Sequence, residues 1–382
     1  MKTNPDVRKI IMLFLSWRLA LFLVTLVIIS LFDAPGPKNS YGEIDVFKLW
    51  SNWDGGHYIG IALNGYAYIN QYAFFPFYPI LIKVLHIVLP NPYITALIIS
   101  NAALLGASIF LYKVSLLYGL SRKASLNAIV MLLIFPSSFF LGAAFTESLF
   151  LFLCLLALYL AKKEHWFSAS IVVGLACFTK FIAVMMLFVL TIEYLNQHKV
   201  TLRNIFSKVK TTEIDESLVY LVFIGPFGVY LYSLYLFWKT GYWFFFRDAQ
   251  MHWGRSQTLL NPFPVLQKSI NENLLDMRIG YINLSVHSLE TIVIIFFVLL
   301  LPFIYKRFGF ALTIYTFVIT TFTLYSGKVD SSLRYVLTAF PTFMLFGDMS
   351  ERYPTIYYFL LFLFTPLLGI LLILFLTGNW VG

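Results

Sequence analysis

The chain reads as an all-α polytopic membrane protein, a bundle of about 11 transmembrane helices. Three observations predict this. Charged residues make up 12% of the 382, against roughly 25% in soluble domains. Hydrophobic residues reach 60%, and the mean hydropathy is +0.81. Apolar runs near the length that crosses a hydrocarbon core of about 30 Å recur along the whole chain. Lipid cannot satisfy backbone polar groups, so such runs have to be helices.

Arg8 and Lys9 precede the apolar run Ile10 to Phe32, the first helix. The positive-inside rule sets its N-terminus in the cytoplasm. The run is too long for a signal-peptide core and lacks a small-residue cleavage site, so it is expected to remain. Arg18 lies within it, either snorkelling, paired internally, or near a substrate phosphate. Residues 33–92 follow as a long first extracytoplasmic loop with Asp33, Glu43, Asp45, Lys48 and Asp54. Its apolar stretch 74–89 is short for a span and carries Lys83 and His86 on one helical face. It reads as a helix lying along the interface, the alternative being a short spanning helix.

Later helices are expected at 93–118, 124–143, 147–161, 166–179, 181–196, 217–238, 288–305, 308–326, 335–349 and 354–376. If 74–89 does not span, Arg122-Lys123, Lys162-Lys163, the basic loop 198–210, Lys306-Arg307 and Arg352 all fall in the cytoplasm. If it spans, every later basic loop flips outward. The first arrangement obeys the charge rule. It gives a multi-pass protein of the cell membrane, one integral-membrane domain over 1–382, with a second large extracytoplasmic loop at 239–287. The net charge of +9 comes from the short inner loops, so no nucleic-acid partner is expected. The basic loop 198–216 reads as a contact for membrane lipids of anionic type. Cys154 and Cys177 lie inside apolar segments and read as free packing residues.

The polar groups of the outer side are where chemistry is expected. Trp53-Asp54-Gly55-Gly56-His57-Tyr58 sets a carboxylate among aromatic and hydrogen-bonding groups, with glycines that allow close approach or positive φ. Glycosyl transfer needs a base for the acceptor hydroxyl, a usual task of Asp or Glu, and Asp54 is the catalytic candidate. The bland alternative is that Asp54 caps a loop helix. Glu147, in Phe145-Thr146-Glu147-Ser148, faces the same side, but an acid there is also what a helix N-terminus favours.

In the segment Phe244 to Arg255, Arg247 and Arg255 can hold a phosphate through planar, charge-assisted pairs. Asp248, Gln250, His252 and Trp253 complete a polar and aromatic neighbourhood suited to a sugar or lipid phosphate. An interfacial amphipathic helix would look similar. Lys180 and Arg334 are isolated cations at helix ends, each able to bind phosphate or to snorkel. Arg334, followed by Tyr335, has the stronger case, because it closes the polar loop Lys328 to Ser332. There is no Cys/His cluster of metal spacing, no P-loop and no Rossmann glycine pattern. No metal, cofactor or nucleotide-sugar site is expected, and a donor arriving through the membrane fits better.

In chain order the matching pieces are Trp53-Asp54-Gly55 with His57-Tyr58, Ile61-Ala62 and Gly65-Tyr66. Then come Ala73-Phe74-Phe75-Pro76 with Tyr78-Pro79, Pro136-Ser137-Ser138, and Thr146-Glu147-Ser148-Leu149-Phe150. Last are Ala249-Gln250 with Trp253-Gly254-Arg255, and Arg334-Tyr335 with Phe340-Pro341. Together they resemble the PIG-V family of mannosyltransferases, within the GT-C superfamily of integral-membrane glycosyltransferases. The resemblance implies a GT-C-like helix bundle, an inverting transfer, and polyprenyl- or dolichyl-phosphate mannose as donor. It implies an acceptor glycan, lipid or protein, and an acidic catalytic residue in the first outer loop, here Asp54. The chain looks closer to bacterial or archaeal members than to the eukaryotic ones acting on the glycosylphosphatidylinositol anchor. It departs from the pattern at Thr179-Lys180, where the family tends to carry Arg with a nearby Gly; Lys keeps the charge without the bidentate geometry. Two other classes stand beside the transferase. One is a transporter or flippase of a lipid-linked saccharide, for which inverted repeats and midplane charges are the expected marks. The other is a non-catalytic partner subunit.

Overall fold

The computed structural model describes residues 5–31, 45–199, 216–255, 261–278 and 286–381. Every regular element among them is helical. Each helix expected from the sequence has a counterpart. Pro5–Leu31, Pro92–Leu117, Glu216–Thr240, Val286–Phe308 and Pro354–Leu376 are long and apolar enough to cross a membrane. The others, Arg122–Ile134, Glu147–Lys162, Trp166–Thr179, Val184–Gln197, Phe310–Thr321 and Phe340–Arg352, run from 12 to 16 residues. Length alone therefore secures five crossings among the described residues. The parts of the expected basic loop at 200–215 and of the first outer loop at 32–44 lie outside the described residues.

The differences in helix bounds have local causes. The stretch expected as one helix at 124–143 stops at Ile134, because Pro136 cannot continue it. A 3₁₀ turn, Ser138–Leu141, follows. Ser138 Oγ bonds back to Leu133 O at 2.5 Å, and Ser137 Oγ to Leu333 O at 2.6 Å. The helix expected from 335 starts at Phe340, with Pro341 in its first turn, and is preceded by the short turns Ser332–Tyr335 and Val336–Thr338. The stretch 74–89 folds as Phe77–His86, ten residues and so about 15 Å long. That is half of a hydrocarbon core. Ile80, Val84, Leu85, Ile87 and Val88 stay exposed along it, while Tyr78 and Ile82 are buried.

Packing is close where side chains are small. A Cβ on Gly228 would lie 2.3 Å from Gly174 O, so helices Trp166–Thr179 and Glu216–Thr240 cross with their backbones nearly touching. Helix Pro92–Leu117 packs on both Arg122–Ile134 and Glu147–Lys162. Asn91 caps it, accepting from Tyr93 N at 2.9 Å and Ile94 N at 3.1 Å, with Pro92 at the first position.

The two ends of the bundle differ in charge. At one end Arg122 meets Asp6 at 3.7 Å, and Tyr112 donates to Asp6 at 2.6 Å. Lys162 pairs with Glu193 at 2.8 Å and lies over the ring of Tyr118 at 4.5 Å. Arg307 pairs with Asp348 and donates to Tyr118 O and Gly119 O, and Arg352 also reaches Asp348. Basic groups that the sequence assigns to the inner side thus share one end. Glu147 is at the opposite end of the helix from Lys162, about 22 Å away along the axis.

Candidate active site

Asp54 opens the helix Asp54–Asn64. Trp53 before it turns the chain with φ +57°, a left-handed value that non-glycine residues rarely take. Gly55 has a steric reason: a Cβ there would come within 3.2 Å of Ala144 O. This lets the start of the helix lie against the Phe139–Phe145 turn, where Ala144 N donates to Trp50 O at 2.9 Å. The glycines serve this packing; the positive φ belongs to Trp53 and, at the far end, to Gly65.

The carboxylate faces Arg334, whose Nη1 donates to Asp54 Oδ2 at 2.6 Å. The two side chains are 17% and 7% exposed. Arg334 stands on the short turn Ser332–Tyr335 and also donates from Nη2 to Ser331 Oγ at 2.9 Å. Its Nε is buried and has no hydrogen-bond partner among the described residues. Burial opposes its charge, yet Asp54 and Glu147 outweigh this and raise the guanidinium above its ordinary value. Arg255 converges on the same hydroxyl, donating from Nη2 to Ser331 Oγ at 3.2 Å and from Nη1 to Ser326 Oγ at 3.0 Å. Lys328 donates to Trp253 O at 3.4 Å.

A second ion pair lies in the same wall. Lys180 Nζ donates to Glu147 Oε1 at 2.8 Å, with the side chains 13% and 2% exposed. Glu147 Oε2 has no hydrogen-bond partner among the described residues. Lys180 also lies 4.9 Å above the ring of Tyr335. It does not snorkel.

These groups line a cavity of about 560 Å³. Asp54, Glu147, Lys180, Arg247, Gln250, Arg255, Lys328, Asp330 and Arg334 supply its charge and polarity. Phe75, Phe181, Ile182, Phe244, Phe246, Phe322 and Trp380 supply an apolar side. The volume is that of a small-molecule site. Five cations and three carboxylates around one void make an arrangement that can hold an anion beside a proton acceptor.

The family profile described as Mannosyltransferase (PIG-V) matches residues 9–239, more than half of the chain. The chain belongs to the PIG-V mannosyltransferase family. It is similar to GPI mannosyltransferase 2 of Drosophila pseudoobscura pseudoobscura, 31% identical over 138 residues covering 31% of this chain and 30% of that protein. It is also similar to GPI alpha-1,6-mannosyltransferase 2 of Mus musculus, 28% identical over 138 residues covering 33% of this chain and 28% of that one. The chain thus spans less than a third of the length of these curated relatives. The matched region 9–239 carries Asp54, Glu147 and Lys180; Arg255 and Arg334 lie beyond it.

In this PIG-V family member the other expected site residues divide. Tyr58 and Tyr335 line the cavity. Tyr58 is buried, and its hydroxyl shares a hydrogen bond of 3.2 Å with Thr146. Trp253 lines it too, fixed by Nε1 donating to Asn70 O at 3.0 Å. His57 lies behind this wall, stacked on Phe74 at 5.3 Å and edge-on to Trp253 at 5.1 Å. Burial lowers its pKa from the ordinary 6.5, more than the charge of Asp54 raises it. Trp53 is exposed and packs against Trp380 at 5.2 Å. Asp248 and His252 are outside the cavity wall; Asp248 lies 3.9 Å from Arg247 and His252 is exposed. Arg18, set apart by its place in an apolar helix, stacks on Trp50 at 4.3 Å, away from the cavity.

Sequence reasoning gave no role to Ser331, Glu290 or Trp380. His287, Glu290 and Asp330 bring one ligand atom each within 4.8 Å of one another. Glu290 already accepts from Ser331 N at 2.6 Å, and Lys328 sits 3.6 Å from Asp330. These carboxylates are engaged by protein donors.

Proposed function

We propose that the protein is an inverting glycosyltransferase that moves mannose from a polyprenyl-phosphate donor to an acceptor glycan, lipid or protein. The observation that carries this is the Asp54–Arg334 pair in the wall of a cavity that also holds Arg255 and Lys328. Asp54 takes the proton of an acceptor hydroxyl as its oxygen attacks the anomeric carbon. The bond from that carbon to the phosphate oxygen breaks on the opposite face. The phosphate oxygen keeps the electron pair, so the phosphodiester of one negative charge leaves as a monoester of two; it needs cations for the added charge more than an acid. Arg334, Arg255 and Lys328 supply them. The apolar side, with Phe181, Phe244 and Phe246, suits a polyprenyl chain.

Sidedness follows from charge. The basic helix ends meet at one end of the bundle, and the cavity is at the end where Glu147 and Arg334 stand. With the basic end in the cytoplasm, the site faces outward and the N-terminus inward.

The test is transfer by the purified protein alone, using polyprenyl-phosphate mannose with a labelled sugar and membrane lipid extracts as acceptors. Labelled product and release of polyprenyl phosphate support the reading. Passage of intact donor across proteoliposomes without release favours a flippase. Activity appearing only with a second protein favours a partner subunit.

A further inference from the structure

We propose that Glu290 is a positioning residue for the anion-binding arginines, acting through Ser331. This rests on the donor-phosphate reading above. Glu290 lies near the start of helix Val286–Phe308 and is 1% exposed. A buried carboxylate has to be engaged, and its Oε1 accepts from Ser331 N at 2.6 Å.

Ser331 is in an unusual backbone state, φ +77°, left-handed and not glycine. In that state its Oγ accepts from both Arg334 Nη2 at 2.9 Å and Arg255 Nη2 at 3.2 Å. A single hydroxyl thus aligns two guanidinium groups side by side. The Glu290 carboxylate holds the strained turn by the Ser331 backbone N–H, and so fixes the hydroxyl on which the two arginines converge. Arg334 keeps a buried Nε without a partner, so the clamp has an unfilled donor. Glu290 does not line the cavity, so it acts on a bound phosphate only through this relay.

The probe is polyprenyl phosphate, the leaving group itself, titrated into purified full-length protein. Glu290→Ala removes the acceptor and is expected to weaken binding about tenfold, the scale of one charge-assisted hydrogen bond. Glu290→Gln keeps an oxygen for Ser331 N–H and is expected to recover most of the affinity. In a Ser331→Gly background the relay is already cut, so adding Glu290→Ala should weaken binding little further. A merely structural role would instead give additive losses in that cycle. If Glu290→Ala does not yield folded protein, Ser331→Ala carries the test and should also weaken binding about tenfold. Wild-type affinity in Glu290→Ala, or in Ser331→Ala where that variant stands in, overturns the relay and leaves the transfer reading standing. Failure of the wild-type protein to bind polyprenyl phosphate at all overturns both.

Discussion

Replacing Asp54 by Asn keeps the shape of the side chain and removes the proposed base. Loss of a general base lowers turnover about 10²- to 10⁴-fold, which is about 3–5 kcal/mol on the barrier. The same change also touches an ion pair, so the stability cost has to be weighed. Breaking a buried pair costs about 3–5 kcal/mol when a charge is stranded. Here Asp54 is 17% exposed in a cavity wall, and Asn still offers an oxygen to Arg334 Nη1. A cost of about 1–2 kcal/mol is reasonable. Against a net stability of about 5–15 kcal/mol the protein stays folded. Lost activity would therefore be chemical. The pairing adds a second expectation. Arg334 is freed from a carboxylate, so polyprenyl phosphate should bind at least as tightly as to wild type, and up to about tenfold tighter. Labelled-donor turnover, polyprenyl-phosphate titration and a thermal melt on one preparation separate the three effects. Near-normal transfer by Asp54→Asn would refute the assignment of the base, and weakened phosphate binding would refute the competition for Arg334.

Arg255→Ala should weaken polyprenyl-phosphate binding about tenfold with little change in the melt, and unchanged affinity would remove Arg255 from the site. Lys180→Met strands Glu147 at 2% exposure and should destabilise by about 3–5 kcal/mol, read from chemical denaturation in detergent. The double variant with Glu147→Gln should recover most of this; no recovery would mean Lys180 matters for something other than the pair. His57 has its pKa held below 6.5 by burial, so the unfolded chain takes up its proton first as pH falls. Stability from this group is thus present above pH 6.5 and lost on going down through it, and His57→Gln should flatten the difference between melts at pH 7.5 and 5.5. A cysteine placed at Lys123 should be labelled by impermeant reagent only from the inner side; labelling from outside would overturn the topology.

The helices were legible because lipid and core both demand long apolar runs, and twelve positions per hundred carrying charge leaves few other places for structure. Their bounds were less so. Pro136 is visible as a breaker, but the run Phe139 to Ala144 is as apolar as a helix and folds instead as a turn whose job is to receive Gly55. Within the site, Asp54, Arg334, Arg255, Glu147 and Lys180 could be named because each is a charge beside aromatic residues or at a helix end. Their pairing could not. Asp54 and Arg334 are 280 residues apart, and no local pattern joins them. Ser331 and Glu290 were invisible for another reason. Ser331 acts through a left-handed backbone, and Glu290 through one backbone N–H, and neither leaves a periodicity or a motif. His252 and Asp248 show the opposite error, where a dense polar segment suggests more site residues than the cavity wall uses.

Of the three carboxylates that line the cavity, Asp330 is paired with Lys328, and the geometry favours different roles for Asp54 and Glu147. A base has to meet the acceptor hydroxyl and then give up the proton to water. Asp54 is the more exposed, 17% against 2% for Glu147. Its cation is a guanidinium with an unused buried Nε, a partner that an incoming phosphate can share. Glu147 is bound by an ammonium that lies over Tyr335. An acceptor reaching Glu147 would have to displace Lys180 from a pair whose side chains are 2% and 13% exposed. Its unpartnered Oε2 instead suits a hydroxyl of the sugar already bound, which needs an acceptor and not a base. On this argument Glu147→Gln should raise the donor KM while leaving kcat within a few-fold, whereas Asp54→Asn should lower kcat and leave KM. If the two variants exchange these signatures, the base is Glu147.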